Sequence, residues 1–167
     1  LMMALSDALN QEYHKLADAG SPIVQIEEPA IHQSMQGKNQ EITPEQYVTA
    51  FNREVSGLKD KCEVWCHTCW GSPGAQKMFP ATTSYEKALP YFDQLDIDVL
   101  TLEGATNGGL DIPHFGSLIS KDKKIAVGVI SHRTMQIERP EEVASLIRRC
   151  LEYIEPERLI LSSDCGF

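Results

Sequence analysis

The sequence has no apolar run approaching the ~20 residues that a membrane-spanning helix requires, so a membrane role is not expected. It has no excess of positive charge either. Fifteen Lys and Arg face 24 Asp and Glu, a net charge of -9, which argues against binding nucleic acid or anionic lipid. A local basic pocket for an anionic substrate stays compatible with that balance. There are five cysteines, an odd number, and no secretory signal. The opening segment LMMALSDALNQEYHKLADAG lacks a basic start and carries Asp7, Glu12 and Lys15 at helical spacing, so it reads as an amphipathic helix. A disulfide framework is therefore not expected, and a reducing, cytoplasmic compartment is. Repeats, low-complexity tracts and a GxGxxG turn are all missing.

What is present suits one domain with a real core: 167 residues, 42% hydrophobic and 23% charged. Helical patterns alternate with short apolar runs. Residues 2–19 read as a helix stopped by Gly20 and Pro22, and 23–28 (IVQIEE) as a strand stopped by Pro29. Thr43 followed by Pro44 and Glu45 predicts a helix start, running to about Leu58. Residues 62–69 read as a strand, and Ser84 with Lys87 and Ala88 as the start of a helix to about Leu95. Strands follow at 99–103, 125–130 and 159–162, with a helix from Pro140 to about Ile154. Strands separated by helices predict parallel pairing through right-handed crossovers. A doubly wound sheet and a (β/α)8 barrel both fit that alternation. The barrel places its chemistry at the C-terminal ends of several strands, and the unusual residues of this sequence lie there.

The first strand ends in Glu27 and Glu28, the second in His67 and Cys69, and the third in Glu103. The fourth ends near Ser131, His132 and Arg133, and the fifth in Asp164 and Cys165. Alternation along a strand puts His67 and Cys69 on one face and Cys66 on the other. Glu103 and Cys165 could complete four ligands. Two thiolates with an imidazole and a carboxylate suit zinc better than magnesium or calcium, and such a metal holds a substrate thiol as thiolate.

Plainer readings stand beside this one. The H-x-C spacing alone is weak, and a buried cysteine is usually a small apolar side chain. Cys66 and Cys69 also form a CxxC, but no second CxxC accompanies it, and strand alternation separates the two thiols. Cys62 and Cys150 read as packing residues. Glu27 and Glu28 could be a solvated pair, although an acidic pair at a strand end points to function. Trp65 and Trp70 flank the H-x-C; packing accounts for each, and Trp70 could equally form a substrate-pocket wall.

Taken together, these segments resemble the cobalamin-independent methionine synthase family, specifically its catalytic C-terminal barrel. IVQIEEPA at 23–30 resembles the family's IxQxDEPA. WCHTCW with the later DVLTLE resembles its H-x-C and glutamate. GVISHRT at 128–134 resembles its G-V-x-D-x-H-S stretch, and LILSSDCGF at 159–167 resembles its closing D-C-G segment. The resemblance implies a TIM barrel and zinc at His67, Cys69, Glu103 and Cys165. It also implies methyl transfer from a methylated tetrahydrofolate to the thiol of homocysteine. The leaving folate amine then needs a general acid. Glu27 falls where the family has the aspartate that holds the substrate amino group, and Glu28 matches the family's own glutamate. Arg133 falls on the family's catalytic histidine, with His132 beside it, so either His132 acts instead, the proton comes from elsewhere, or a cation meets an acidic substrate. The loop SPGAQKMFPATTS resembles the short, single-barrel members.

Five strands do not close an eight-stranded barrel. The chain is read as a single domain, 1–167, corresponding to the C-terminal part of the barrel without its first three strands and last helix. A longer protein, or a second copy in a homo-oligomer, is expected to cover the gap. Three rivals follow. One keeps the zinc and thiol but uses another electrophile, an epoxide attacked by coenzyme M or a methyl-carrying protein. Another is a metal-free barrel that binds a small molecule or assembles with partners. The last, a structural zinc module, is disfavoured because the four ligands span nearly 100 residues rather than one compact knuckle.

Overall fold

The computed structural model describes residues 1–35, 41–70 and 84–166; the stretch 72–83 of the loop SPGAQKMFPATTS lies outside the described residues. The chain opens with α1 (Met2–Asp18). It ends at Gly20, whose φ of 95° is one that a side chain would resist. Pro22 prevents the helix from resuming, and β1 (Ile23–Glu27) begins. A one-turn helix, α2 (Ala30–Ser34), follows Pro29. It was not anticipated, because a single turn is too short to show hydrophobic periodicity. Glu28 holds it instead, its Oε1 accepting from the N–H groups of Ala30 at 2.8 Å and Ile31 at 3.1 Å.

The expected start at Thr43 is a capping box. The Thr43 hydroxyl accepts from Gln46 N–H, and the Gln46 side chain accepts from Thr43 N–H at 2.8 Å. From there α3 runs Pro44–Glu54, and a 3-10 turn at Leu58–Asp60 leads into β2 (Glu63–Thr68). The helix expected over 84–95 is reduced to α4 (Leu89–Phe92). The entry to it is a turn, because Asp111 accepts from Tyr85 N–H at 3.0 Å, and Pro90, which has no N–H to donate, fits only in the first turn of the helix that follows. β3 (Val99–Leu102) and a second unanticipated helix, α5 (Ile112–Leu118), come next. Pro113 and Gly116 dilute the apolar pattern of α5. Gly116 is required by packing, since a Cβ there would overlap the Tyr153 carbonyl. β4 (Lys124–Ile130), α6 (Pro140–Leu151) and β5 (Leu159–Ser163) complete the described elements.

The strands form one sheet in the order β1-β2-β3-β4-β5, all parallel. A doubly wound sheet reverses its strand order at a switch point; this sheet does not. Each crossover advances one strand in the same direction, and crossovers of one hand then put the connecting helices on one face. That is the winding of a (β/α)8 barrel wall. The helix-side face carries the core: Ile26, Val64, Cys66, Leu100, Leu102, Ile125 and Val127 pack with Phe51, Val55, Phe92 and Phe115. The opposite face presents a different row. Register aligns Glu27 with His67, His67 with Thr101, and Thr101 with Ala126. Among the described residues, no helix is long and apolar enough to cross a membrane.

Candidate functional site

The site lies at the C-terminal ends of the strands, on the face away from the core. Cys66 points into the core and is fully buried, and burial pushes its thiol pKa well above the usual value. It is inert. The next residue, His67, points the other way. Cys69, just past the end of β2, and Cys165, just past the end of β5, are both half-buried. One ligand atom each of His67, Cys69 and Cys165 lie within 4.8 Å of one another. Donors sharing one zinc lie roughly 4 Å apart. Residues nearly 100 positions apart in sequence thus converge because parallel strands end at one level.

The His67 ring is oriented by its neighbour on β3. Nδ1 lies 2.7 Å from the Thr101 hydroxyl, while Nε2 is buried with no hydrogen-bond partner among the described residues. A metal-ligating imidazole characteristically has one nitrogen held and the other bare. Glu27 is the nearest charged group, with Oε2 3.8 Å from Nε2, and its side chain is 60% exposed. Gln25, Glu27, His67, Thr101, Ser162 and Cys165 line a cleft of about 270 Å³. A larger depression of about 370 Å³, beside Val129, Leu146 and Arg149, has no cysteine or histidine in its lining.

Glu103 falls in a second cluster, with ligand atoms of His132 and Asp164 within 4.8 Å. It is 1% exposed. Its Oε1 accepts from Trp70 N–H at 2.7 Å and from the Arg133 guanidinium at 3.1 Å, while Oε2 has no hydrogen-bond partner among the described residues. Glu103 therefore has one oxygen fixed and one to offer. Asp164 is different, because its carboxylate is fully engaged. It accepts from the N–H groups of Gly104 at 2.8 Å, Ala105 at 3.0 Å and Thr106 at 2.6 Å, and from the Thr106 hydroxyl. It pins the loop after Glu103 to the residue before Cys165. Burial raises its pKa against the pull of those donors.

Three sequence-predicted residues sit in other surroundings. Trp70 is 1% exposed and belongs to the core cluster, its ring edge-on to His32 at 4.3 Å and near Tyr85. Of the two roles weighed for it, packing is the one its surroundings supply. Glu28 faces the start of α2, and burial pushes its pKa up to about 7. Arg133 lines a separate cleft with Ser131 and Thr134, alongside its pairing with Glu103.

Sequence reasoning did not single out Thr101, His32 or the clamp role of Asp164. Thr101 sits two residues before Glu103 on the same strand face, which was a usable signal. The pairing register that sets it beside His67 was not visible. The donor set itself fits a zinc ion: two cysteine sulfurs and an imidazole gathered at one point, a bare imidazole nitrogen, and a bare buried oxygen on Glu103, whose other oxygen holds the N–H of the residue after Cys69.

Comparison with known proteins agrees in extent and kind. A family model described as the catalytic domain of cobalamin-independent synthase matches residues 1–167. A methionine synthase of Thermococcus kodakarensis is 32% identical over 166 residues, 99% of this chain and 43% of that protein. One from Saccharolobus solfataricus is 32% identical over 171 residues, 99% of this chain and 44% of its own length. A solved B12-independent methionine synthase from a Shewanella species, in complex with selenomethionine, matches with a TM-score of 0.80 at 28% identity, covering 98% of this chain and 47% of that one. A Listeria monocytogenes structure at 20% identity and a TM-score of 0.62 supports the fold alone. The chain thus spans less than half the length of the curated relatives it matches.

Proposed function

The chain belongs to the cobalamin-independent synthase catalytic-domain family, and on that premise we propose that it carries the zinc site of a methyltransferase. The enzyme moves a methyl group from 5-methyltetrahydrofolate, as its polyglutamate, to the thiol of homocysteine, making methionine. The observation that carries this reading is the convergence of His67, Cys69 and Cys165 at the strand ends. Glu103 is the fourth ligand in the proposal, through the oxygen that neither Trp70 nor Arg133 engages. These residues would hold a zinc ion, which would supply the charge that lowers the pKa of a substrate thiol toward thiolate at neutral pH.

The roles of the chain's own residues follow from their chemistry. Glu27, exposed at the cleft edge, is the carboxylate that meets the amino group of homocysteine. The substrate sulfur forms a bond to the N5-methyl carbon while the carbon–nitrogen bond breaks, and the leaving amine takes a proton. A guanidinium does not release a proton near neutral pH, so Arg133 serves by holding Glu103. His132, buried beside Glu103, is the residue of the pair able to hold and deliver that proton. A reducing compartment keeps both ligand thiols available.

The test is elemental analysis of the full-length protein, alongside Cys69→Ala and Cys165→Ala. About one zinc per chain, lost in both variants, is expected. A folded, reduced protein without zinc overturns the proposal and favours a metal-free barrel. An assay with homocysteine and methyl-folate then examines the substrates. Zinc without that activity moves the assignment to another electrophile.

A further inference from the structure

The turn after β2 carries Cys69, and side chains from three other segments hold its backbone. Tyr85 donates its hydroxyl to the Thr68 carbonyl at 3.0 Å. Glu103 accepts from Trp70 N–H at 2.7 Å. Between them, His32 Nε2 lies 2.9 Å from the carbonyl of Cys69 itself, and Gln33 reaches the same oxygen at 3.4 Å. A carbonyl can only accept, so Nε2 carries the proton and donates it.

The surroundings of His32 make this bond informative. The residue is 1% exposed, with its ring edge-on to Trp70, Tyr85 and Phe92 at centroid distances of 4.3, 5.2 and 5.7 Å. Its other nitrogen, Nδ1, is buried with no hydrogen-bond partner among the described residues. Packing alone does not call for such a group. A phenylalanine would meet the same rings and leave no nitrogen bare. What the imidazole supplies beyond an aromatic ring is one N–H, aimed at the backbone of Cys69.

We propose that His32 is a positioning residue for Cys69: by holding the Cys69 carbonyl, it fixes the backbone from which the thiol reaches His67 and Cys165. The inference rests on the zinc-site reading above. Cys69 lies beyond the last hydrogen-bonded residue of β2, so the strand ladder does not order it. A ligand on a mobile turn would lose conformational freedom on binding metal; a turn already held loses less. The bond also ties α2, in the loop that follows Glu27, to a ligand 37 residues later.

The experiment uses the full-length protein with His32→Phe and His32→Gln. The glutamine side chain places an amide N–H near the position of Nε2; phenylalanine keeps the ring but not the donor. Zinc affinity is measured by competition with a chromophoric chelator, and thiolate-to-metal charge-transfer absorption is read after loading with Co2+. For His32→Phe, affinity is expected to fall about tenfold or more, with a weakened charge-transfer band. His32→Gln is expected to retain both within about twofold, on the same principle that an outer hydrogen bond orients the ligand. Should the phenylalanine variant not fold, His32→Met makes the same comparison. If a folded variant without the donor binds Zn2+ and Co2+ like the unsubstituted protein, this inference falls while the zinc site stands. Equal losses in the phenylalanine and glutamine variants also overturn it, because the ring and not the N–H would then matter. An unsubstituted protein that binds neither metal overturns both readings.

Discussion

Thr101 and His67 sit directly opposite each other on neighbouring strands, and the Thr101 hydroxyl lies 2.7 Å from Nδ1 of the imidazole. That contact makes Nδ1 the held nitrogen and leaves Nε2 as the bare one among the described residues. The ring's orientation is thus set by strand register rather than by the metal.

Replacing Thr101 with valine keeps the shape and removes the hydroxyl. The imidazole then has no partner for Nδ1 and can rotate. Zinc affinity is expected to fall about tenfold, with little loss of folding stability. Chelator competition checks it; unchanged affinity would mean that other contacts hold the ring.

Asp164 accepts from three successive backbone N–H groups and one hydroxyl. In Asp164→Asn, one oxygen becomes an amide donor facing donors. The expected cost is about 3 kcal/mol of stability, read by denaturant unfolding of the metal-free protein. A cost under about 1 kcal/mol would show that the loop holds its shape without the carboxylate.

Gly128 lies directly beneath this clamp. A Cβ at Gly128 would come within 2.6 Å of Asp164 Cα and 2.7 Å of its backbone nitrogen, and would overlap its carboxylate. Backbone atoms cannot swing aside as a side chain does. Gly128→Ala is expected to cost at least about 2 kcal/mol and to displace the neighbouring Cys165, so that zinc retention falls as well. Wild-type stability with full zinc content would contradict the close approach.

Burial sets a pH dependence at Glu28. Its carboxyl titrates near 4.5 when exposed and near 7 in the fold. Between those values the folded state keeps a proton that the unfolded chain has released, so stability falls as pH rises through that window. Glu28→Gln keeps an acceptor for the Ala30 and Ile31 N–H groups but cannot ionise. Its melting temperature, measured without metal, is expected to drop less between pH 5 and pH 8 than that of the unsubstituted protein. Identical pH slopes would rule out the assignment.

Much of the fold was legible because local chemistry and tertiary structure agree. Gly20 and Pro22 end α1, Thr43 with Pro44 and Gln46 starts α3, and apolar runs mark all five strands. Short elements escaped for a physical reason: one turn of α2 and seven residues of α5 do not span enough residues to show a helical period. The helix expected from Ser84 shrank because Asp111, distant in sequence, took the Tyr85 N–H for a turn.

The site divides in the same way. The sequence by itself determined which residues stand at the strand ends, and strand alternation already separated His67 from the core-facing Cys66. Winding and register decided the rest. Sequential strand order brought Cys165 back to His67 and Cys69, paired Thr101 with the imidazole, and set Arg133 on Glu103 and His32 on the Cys69 carbonyl. None of these contacts is local, so no pattern within a strand or helix could encode them; they exist only once parallel strands have aligned their ends.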